Sequence, residues 1–290
     1  MKLLLPLTPA VSMALLAATS LAMAVDDAMP LPAPMQPALE ASIMERLHAL
    51  VYEANIVDLL ASPHEEERLS SSLNADTKFD LYVLAQSWQP EFCHGKEKVF
   101  PGCQEPQEFW KTHFTLHGLW PEREVGAPPG FCGGEPFDAK QIEEEIGFET
   151  LTQYWPDVKY SVASPEYPDF WKHEWTRHGT CSGLPQIEYF SHAVNLIRNG
   201  TVDTPTLVQE NVGKVVPIAD LRAAFGSWSS QPAAVLKCMH GGDTLSQVFT
   251  CWVKDDKNAP IRRRACPEHV LKEDTCSRSS IHIPAFAKRD

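Results

Sequence analysis

The segment FWKHEWTRHGTC, residues 170–181, concentrates two histidines, one carboxylate and two cations in a short stretch. On a helix, Glu174 and His178 lie four residues apart and Glu174 and Arg177 three apart, so a carboxylate, an imidazole and a guanidinium share one patch, with His173 at its margin. Histidine gives or takes a proton near neutral pH. The segment is therefore a candidate for proton transfer, with metal binding and a merely polar helix face as the alternatives.

Zinc binding is an alternative interpretation of the same segment. The HExxH zinc motif places two imidazoles on one helix face, whereas His178 follows His173 by five residues, about 140° around the helix. None of the eight cysteines has CxxC spacing. A zinc site that uses distant residues remains open at this point.

A second cluster, HFTLHGLWPE at residues 113–122, places His117 among apolar and aromatic side chains. A lone histidine in such surroundings is most often a hydrogen-bonded core residue. Paired with the first segment, His117 is predicted to be a second acid–base group. One histidine could then remove a proton while the other donates one.

The N-terminal residues 1–24 predict a signal peptide: one lysine, an apolar run, and Ala22-Met23-Ala24 as the cleavage pattern. Eight cysteines in an exported chain predict disulfides, although the count leaves their pairing open. Asn199 begins an N-glycosylation sequon. The formal net charge of −13 excludes a protein that coats nucleic acid through a broad basic face.

Residues 25–78 form an N-terminal extension with a proline-rich stretch, the apolar stripe of an amphipathic helix and an acidic linker. Buried strands are predicted at 79–88, 114–119, 236–238 and 247–253, and helices at 137–155, 169–178, 187–198 and 218–225. Asp169 and Gly179 are the expected caps of the helix at 169–178. The irregular order of these helices and strands along the chain predicts an α+β fold with a mainly antiparallel central sheet.

The two clusters, in this order and spacing, closely resemble the active-site segments of the ribonuclease T2 family. LAQSWQPEFC resembles the family's first strand, and LKCMHGGDTLSQVFTCWVKD resembles its C-terminal part. The resemblance extends over residues 79–286, so 79–290 is interpreted as the catalytic domain. It implies a disulfide-linked endoribonuclease that cleaves single-stranded RNA through 2′,3′-cyclic phosphates, with low base specificity and no metal or other cofactor.

By family role, the resemblance implies that His178 is the base and His117 the acid. Glu174 and Arg177 would stabilise the transition state, and His173 would hold phosphate. The implied base-binding residues are Trp120, Phe170 and Gln86. The implied disulfides are Cys93–Cys103, Cys132–Cys181, Cys238–Cys276 and Cys251–Cys266. Core positions remain the alternative for Trp120 and Phe170, and Trp88, Trp171 and Trp175 are expected in the core.

Two positions depart from the family pattern. Arg177 stands where the family usually has lysine, and Ser87 stands where it often has glutamine, with Gln86 one residue earlier on the opposite face of a strand. The expected product of the gene is a secreted or vacuolar/lysosomal monomer that needs no membrane and no stable protein partner. The rival hypotheses are a non-catalytic secreted binding protein and a zinc hydrolase.

Overall fold

The computed structural model describes residues 77–198, 204–228 and 231–287. The expected signal peptide, residues 25–76 of the extension and Asn199 lie outside the described residues. None of the helices in the described ranges is long and apolar enough to cross a membrane.

A seven-stranded sheet forms the centre of the described fold, in the order β2-β1-β7-β9-β3, with β6 and β8 both pairing with β7. Its pairings are antiparallel, apart from a short parallel contact between β7 and β9. A small separate sheet joins β4 and β5. This arrangement confirms the α+β prediction. The strands are β1 (Leu81–Ser87), β2 (Thr115–Glu122), β3 (Lys214–Pro217), β4 (Ser227–Trp228), β5 (Gln231–Pro232), β6 (Val235–Met239), β7 (Thr244–Lys254), β8 (Pro260–Arg264) and β9 (Ser280–Ile283).

Short helices surround this sheet. They are α1 (Gln89–Phe92), α2 (Pro101–Gln104), α3 (Ala139–Ile142), α4 (Phe148–Tyr154), α5 (Asp169–Arg177), α6 (Gln186–Arg198), α7 (Thr206–Glu210), α8 (Ile218–Phe225) and α9 (Glu268–Leu271). Single 3₁₀ turns lie at Phe109–Lys111 and Gly179–Cys181.

The prediction of one continuous helix at 137–155 is wrong. The structure divides it into α3, a π-helical turn at Glu143–Gly147, and α4. Gly147 has a φ of 93°, a left-handed conformation that an α-helix cannot contain. The apolar spacing of this stretch indicated the buried face correctly but gave no sign of the break.

Helix α5 carries the histidine-rich segment and ends one residue earlier than predicted. Pro168 is its N-cap, Asp169 its first residue and His178 its C-cap. Gly179 then begins a 3₁₀ turn, where a Cβ atom would overlap the Trp175 ring. The glycine is therefore needed for this close approach, and His178 is held at the point where the helix ends.

Aromatic side chains attach α5 to the sheet. Trp171 and Trp175 are almost fully buried, and the indole N–H of Trp171 donates to the carbonyl of Trp155 at 2.7 Å. Trp88 is fully buried in a second core cluster. The prediction that Trp88, Trp171 and Trp175 are core residues is therefore confirmed. Burial of an aromatic side chain stabilises a fold by about 2–3 kcal/mol, so these contacts fix the helix position firmly.

Four disulfides use all eight cysteines, which lie in the described ranges, and each pairing implied by the resemblance is confirmed. Cys132–Cys181 closes 49 residues and joins the loop after β2 to the turn after α5. Cys93–Cys103 closes only 10 residues.

Removal of Cys132–Cys181 should destabilise the protein more than removal of Cys93–Cys103, because a longer closed loop restricts the unfolded chain more strongly. Loop-closure entropy gives about 4 kcal/mol for the first bridge and about 3 kcal/mol for the second. Urea unfolding of the two double-serine variants measures the difference. An equal or reversed order would contradict this loop-length argument.

Candidate active site

Strand β2 and helix α5 bring the two histidine segments together. The register between β1 and β2 shifts, so that Ala85 pairs with Gly118 and Gln86 with Leu116, leaving His117 as the extra residue of a β-bulge. Bulges re-aim a side chain relative to a regular strand. The sheet therefore presents His117 toward α5 rather than in ordinary alternation.

The carboxyl group of Glu174 lies at the centre of the site, in a side chain only 1% exposed. Its Oε2 accepts a hydrogen bond from Trp120 Nε1 at 2.8 Å, and its Oε1 lies 3.8 Å from His117 Nε2. Burial raises the pKa of Glu174 to about 8, although the Trp120 hydrogen bond and the Arg177 charge oppose this rise. Glu174 is therefore neutral in acidic solution.

Gly118 makes this close approach possible. A Cβ atom at residue 118 would overlap both Oε2 of Glu174 and Nε1 of Trp120. The glycine between His117 and Leu119 is thus required for space, since its φ is not in the left-handed region.

His117 is held from both its backbone and its ring. Its carbonyl accepts a hydrogen bond from Trp155 Nε1 at 2.9 Å, and its Nδ1 lies 3.3 Å from the amide oxygen of Gln247. An amide oxygen can only accept, so Nδ1 carries a proton in this contact. Burial lowers the pKa of His117; the Gln247 hydrogen bond opposes the shift, and the charges of His173 and Lys159 add to it.

The ring of His178 stacks on the indole of Trp120, with centroids 5.2 Å apart and an interplanar angle of 25°. Its Nδ1 is buried and makes no hydrogen bond within the described part of the chain. Burial lowers the pKa of His178 to about 3, and the positive charges of Arg177, His173 and His117 contribute. His178 is therefore a neutral imidazole over most of the pH range.

Arg177 and His173 lie on the exposed side of α5. The guanidinium of Arg177 lies over the ring of Phe131, 5.4 Å from its centroid. Burial lowers the pKa of His173, with further lowering by the charges of Arg177 and Lys159. Because Glu174 is buried and Arg177 exposed, the expected patch lies across the boundary between core and solvent, and the guanidinium lies over the Phe131 ring.

A cavity of about 160 Å³ opens beside His117. Phe170, a predicted base-binding residue, lines it, with its ring centroid 5.7 Å from that of His117. The other lining residues are Ser87, Gln89, Phe92, Pro156, Asp157, Val158, Lys159 and Gln247.

Two of the predicted base-binding residues are placed differently. Gln86 is 1% exposed and does not line this cavity, because strand alternation turns Ser87 toward it instead. Trp120 reaches the site, but one face of its indole is covered by His178 and its edge contacts Phe249. Trp120 therefore contacts His178 and the buried Glu174, and its expected role in base binding stays a prediction.

Sequence reasoning missed Gln247, Trp155 and Lys159 as members of the site. Gln247 is the fourth residue of β7, a strand predicted to begin only at residue 247, and its contact with His117 spans 130 residues. A single glutamine within a strand carries no local signal of such a partner. In the ranges that the structure describes, no three or more His, Cys, Asp or Glu side chains are grouped so that they could hold a metal ion.

Comparisons with known proteins agree with this geometry. The model of the ribonuclease T2 family matches residues 79–264. The chain is 30% identical over 221 residues to ribonuclease DdI of Dictyostelium discoideum, covering 72% of this chain and 86% of that protein. It is 34% identical over 228 residues to extracellular ribonuclease LE of Solanum lycopersicum, covering 74% of this chain and 91% of that protein.

A solved structure of RNase NT in complex with 5′-AMP shares the fold. It matches with a TM-score of 0.51 and 25% identity, covering 72% of this chain and all of that one. The family match spans well over half of the chain and includes both histidine segments. The chain therefore belongs to the ribonuclease T2 family, and it is an endoribonuclease.

Proposed function

We propose that this endoribonuclease cleaves single-stranded RNA by transesterification, with His178 as general base and His117 as general acid. One observation carries the proposal: both imidazoles contact the indole of Trp120, whose N–H is anchored by the buried Glu174. Two proton-transfer groups are thereby fixed relative to each other. A non-catalytic binding protein would not need this arrangement.

His178 suits the role of base because it is neutral. With a pKa of about 3, its lone pair is available at the pH of an acidic or neutral compartment. It removes the proton from the ribose 2′-hydroxyl as the 2′-oxygen bonds to phosphorus. A 2′-deoxy chain lacks this nucleophile and is not cleaved.

His117 suits the role of acid because Gln247 assigns its ring nitrogens. Nδ1 keeps its proton in the contact with the amide oxygen, so Nε2 is the atom that gains and donates the transferable proton. That proton passes to the leaving 5′-oxygen as its bond to phosphorus breaks. The products are a 2′,3′-cyclic phosphate and a free 5′-hydroxyl, and the protons balance between the two histidines.

Charge stabilisation comes from groups around these histidines. In acidic solution the neutral carboxyl of Glu174 can donate a hydrogen bond to an oxygen of the reacting phosphate. Arg177 supplies a positive charge that stabilises the negatively charged transition state, and His173 is proposed to hold the phosphate. A lost donor of this kind typically lowers kcat by about a hundredfold to a thousandfold. The chemistry assigned to these side chains requires no metal or other cofactor.

The substrate is single-stranded RNA, because a base must leave its stack to enter the cavity beside His117. Phe170 offers an aromatic face that any base can use, which supports low base specificity. RNase NT binding 5′-AMP agrees with a nucleotide site in this fold. We expect the side chains assigned above to suffice for the reaction in a monomer.

We also propose that the protein is exported, to the cell exterior or to a vacuole or lysosome. The signal-type N-terminus and the four disulfides support an oxidising compartment. The residues of the proposed site all lie beyond residue 78, so the extension at 25–78 is proposed to be dispensable for cleavage.

Replacement of His117 or His178 by alanine should lower kcat by at least about a hundredfold, because each removes one proton-transfer group. The assay uses a dinucleotide in EDTA, with products resolved by mass. Wild-type protein should yield the 2′,3′-cyclic phosphate, and His94→Ala, at an exposed histidine outside the site, should match wild type. Near-normal turnover in either active-site variant would contradict the two-histidine mechanism.

The value of kcat/KM should be highest in acidic solution. Cleavage needs His178 neutral, which holds above its pKa of about 3, and His117 protonated, which is lost as pH rises through a pKa lowered below the usual 6.5. A profile of kcat/KM from pH 3 to 8 measures both limbs.

Gln247→Leu provides the matched control for the alkaline limb. The Gln247 hydrogen bond raises the pKa of His117, so its loss should move this limb to lower pH. A rate that stays at its maximum up to pH 8 in the wild-type protein would contradict the assignment of His117 as the acid.

A further inference from the structure

Phe131 has an unusual backbone and an unusual exposure for a large aromatic residue. Its φ is 54°, in the left-handed region that non-glycine residues seldom occupy, and it is 62% exposed. Neither feature stabilises a fold. Residues held in sparsely populated backbone conformations concentrate at functional sites, where the surroundings impose them.

Several contacts impose this conformation on Phe131. Its N–H donates to the carbonyl of Arg177 at 2.9 Å, and the next residue, Cys132, is bonded to Cys181. The loop after β2 is thus attached to the end of α5 on both sides of His178. The attachment fixes the phenyl ring beside the last turn of this helix.

The ring lies under the guanidinium of Arg177, with the central carbon 5.4 Å from the ring centroid. This distance is within the range of a cation–π contact. A planar guanidinium stacks on aromatic faces better than a compact ammonium does. The contact therefore gives a physical reason for arginine at a position where the family pattern usually has lysine.

The position of this guanidinium matters to the catalytic groups. The Arg177 charge acts on Glu174, His173 and His178, lowering the pKa of each. A mobile arginine at a helix end would spread its charge over many rotamers. A guanidinium held on a ring keeps its charge at one place.

We propose that Phe131 is a positioning residue that holds the Arg177 guanidinium where the charge of the reacting phosphate develops. This inference rests on the proposed function, because it assumes that Arg177 stabilises the transition state. Phe131 acts through Arg177 and does not itself bind a base. Its backbone conformation is the cost of placing the ring at the end of α5.

The test is a double-mutant cycle of Phe131→Ala and Arg177→Ala, assayed with a dinucleotide. Phe131→Ala should lower kcat by about threefold to tenfold, the scale of a cation–π contact, with KM unchanged within about twofold. Arg177→Ala should lower kcat by about tenfold to a thousandfold. In the Arg177→Ala background, removal of the ring should change kcat by less than about twofold.

Matched variants separate the ring from the backbone. Phe131→Tyr should restore kcat and Phe131→Leu should not. Phe131→Gly should lower kcat as alanine does while keeping the melting temperature, because glycine accepts the left-handed conformation. Val125→Ala, at an exposed residue of the same loop, should match wild type.

The pH profile of kcat adds a readout that a purely structural role would not move. The Arg177 charge lowers the pKa of His178, so a displaced guanidinium should raise that pKa and move the acidic limb to higher pH. Phe131→Ala and Arg177→Ala should shift this limb in the same direction.

Four results would overturn the proposal. A raised KM with normal kcat in Phe131→Ala would identify the ring as a base platform instead. Additive losses in the double variant would show that the ring acts independently of Arg177. A wild-type kcat in Arg177→Ala would remove Arg177 from the proposed mechanism. A lowered kcat in Arg177→Ala together with a normal kcat in Phe131→Ala would end only the inference about the ring.

Discussion

The site depends on one hydrogen bond, between the indole N–H of Trp120 and the buried carboxyl of Glu174. A carboxyl group this deeply buried is costly unless it is hydrogen-bonded. Here the bond joins β2 to α5, and Gly118 leaves the space it needs. Trp120 in turn contacts both His117 and His178. The position of each histidine therefore depends on the hydrogen bond between Trp120 and Glu174. A substitution at Trp120, Glu174 or Gly118 would disturb that bond.

Burial separates the tasks of the titratable groups. The same dry surroundings raise the pKa of Glu174 to about 8 and lower that of His178 to about 3, because desolvation disfavours a charge of either sign. A neutral carboxyl and a neutral imidazole thus coexist in acidic solution. Burial also lowers the pKa of His117, but there the Gln247 hydrogen bond opposes the shift, whereas Nδ1 of His178 makes no hydrogen bond in the described part of the chain. This hydrogen bond is what distinguishes the proposed acid from the proposed base.

Much of this arrangement could be predicted from the sequence, because it depends on local pattern or on long motifs. The spacing of Glu174 and His178 predicted a shared helix patch, and the family resemblance gave the disulfide pairings. Contacts between distant elements could not be predicted. Gln247 on β7 meets His117 on β2 across the intervening strand β1, and the residue type of Trp120 gives no sign that His178 covers one face of its ring. The break at Gly147 was missed because apolar periodicity continues through it.

The most direct test of this account is the activity of Glu174→Gln beside Glu174→Ala in acidic solution. Glutamine can accept the Trp120 hydrogen bond through its amide oxygen and still offer a hydrogen-bond donor to the phosphate, as a neutral carboxyl does, whereas alanine leaves the indole N–H without this partner. We expect Glu174→Gln to keep kcat within about tenfold of wild type and Glu174→Ala to lose at least about a hundredfold. Equal losses in the two variants would contradict the account, since the ionised carboxylate rather than the hydrogen-bonded neutral group would then support cleavage.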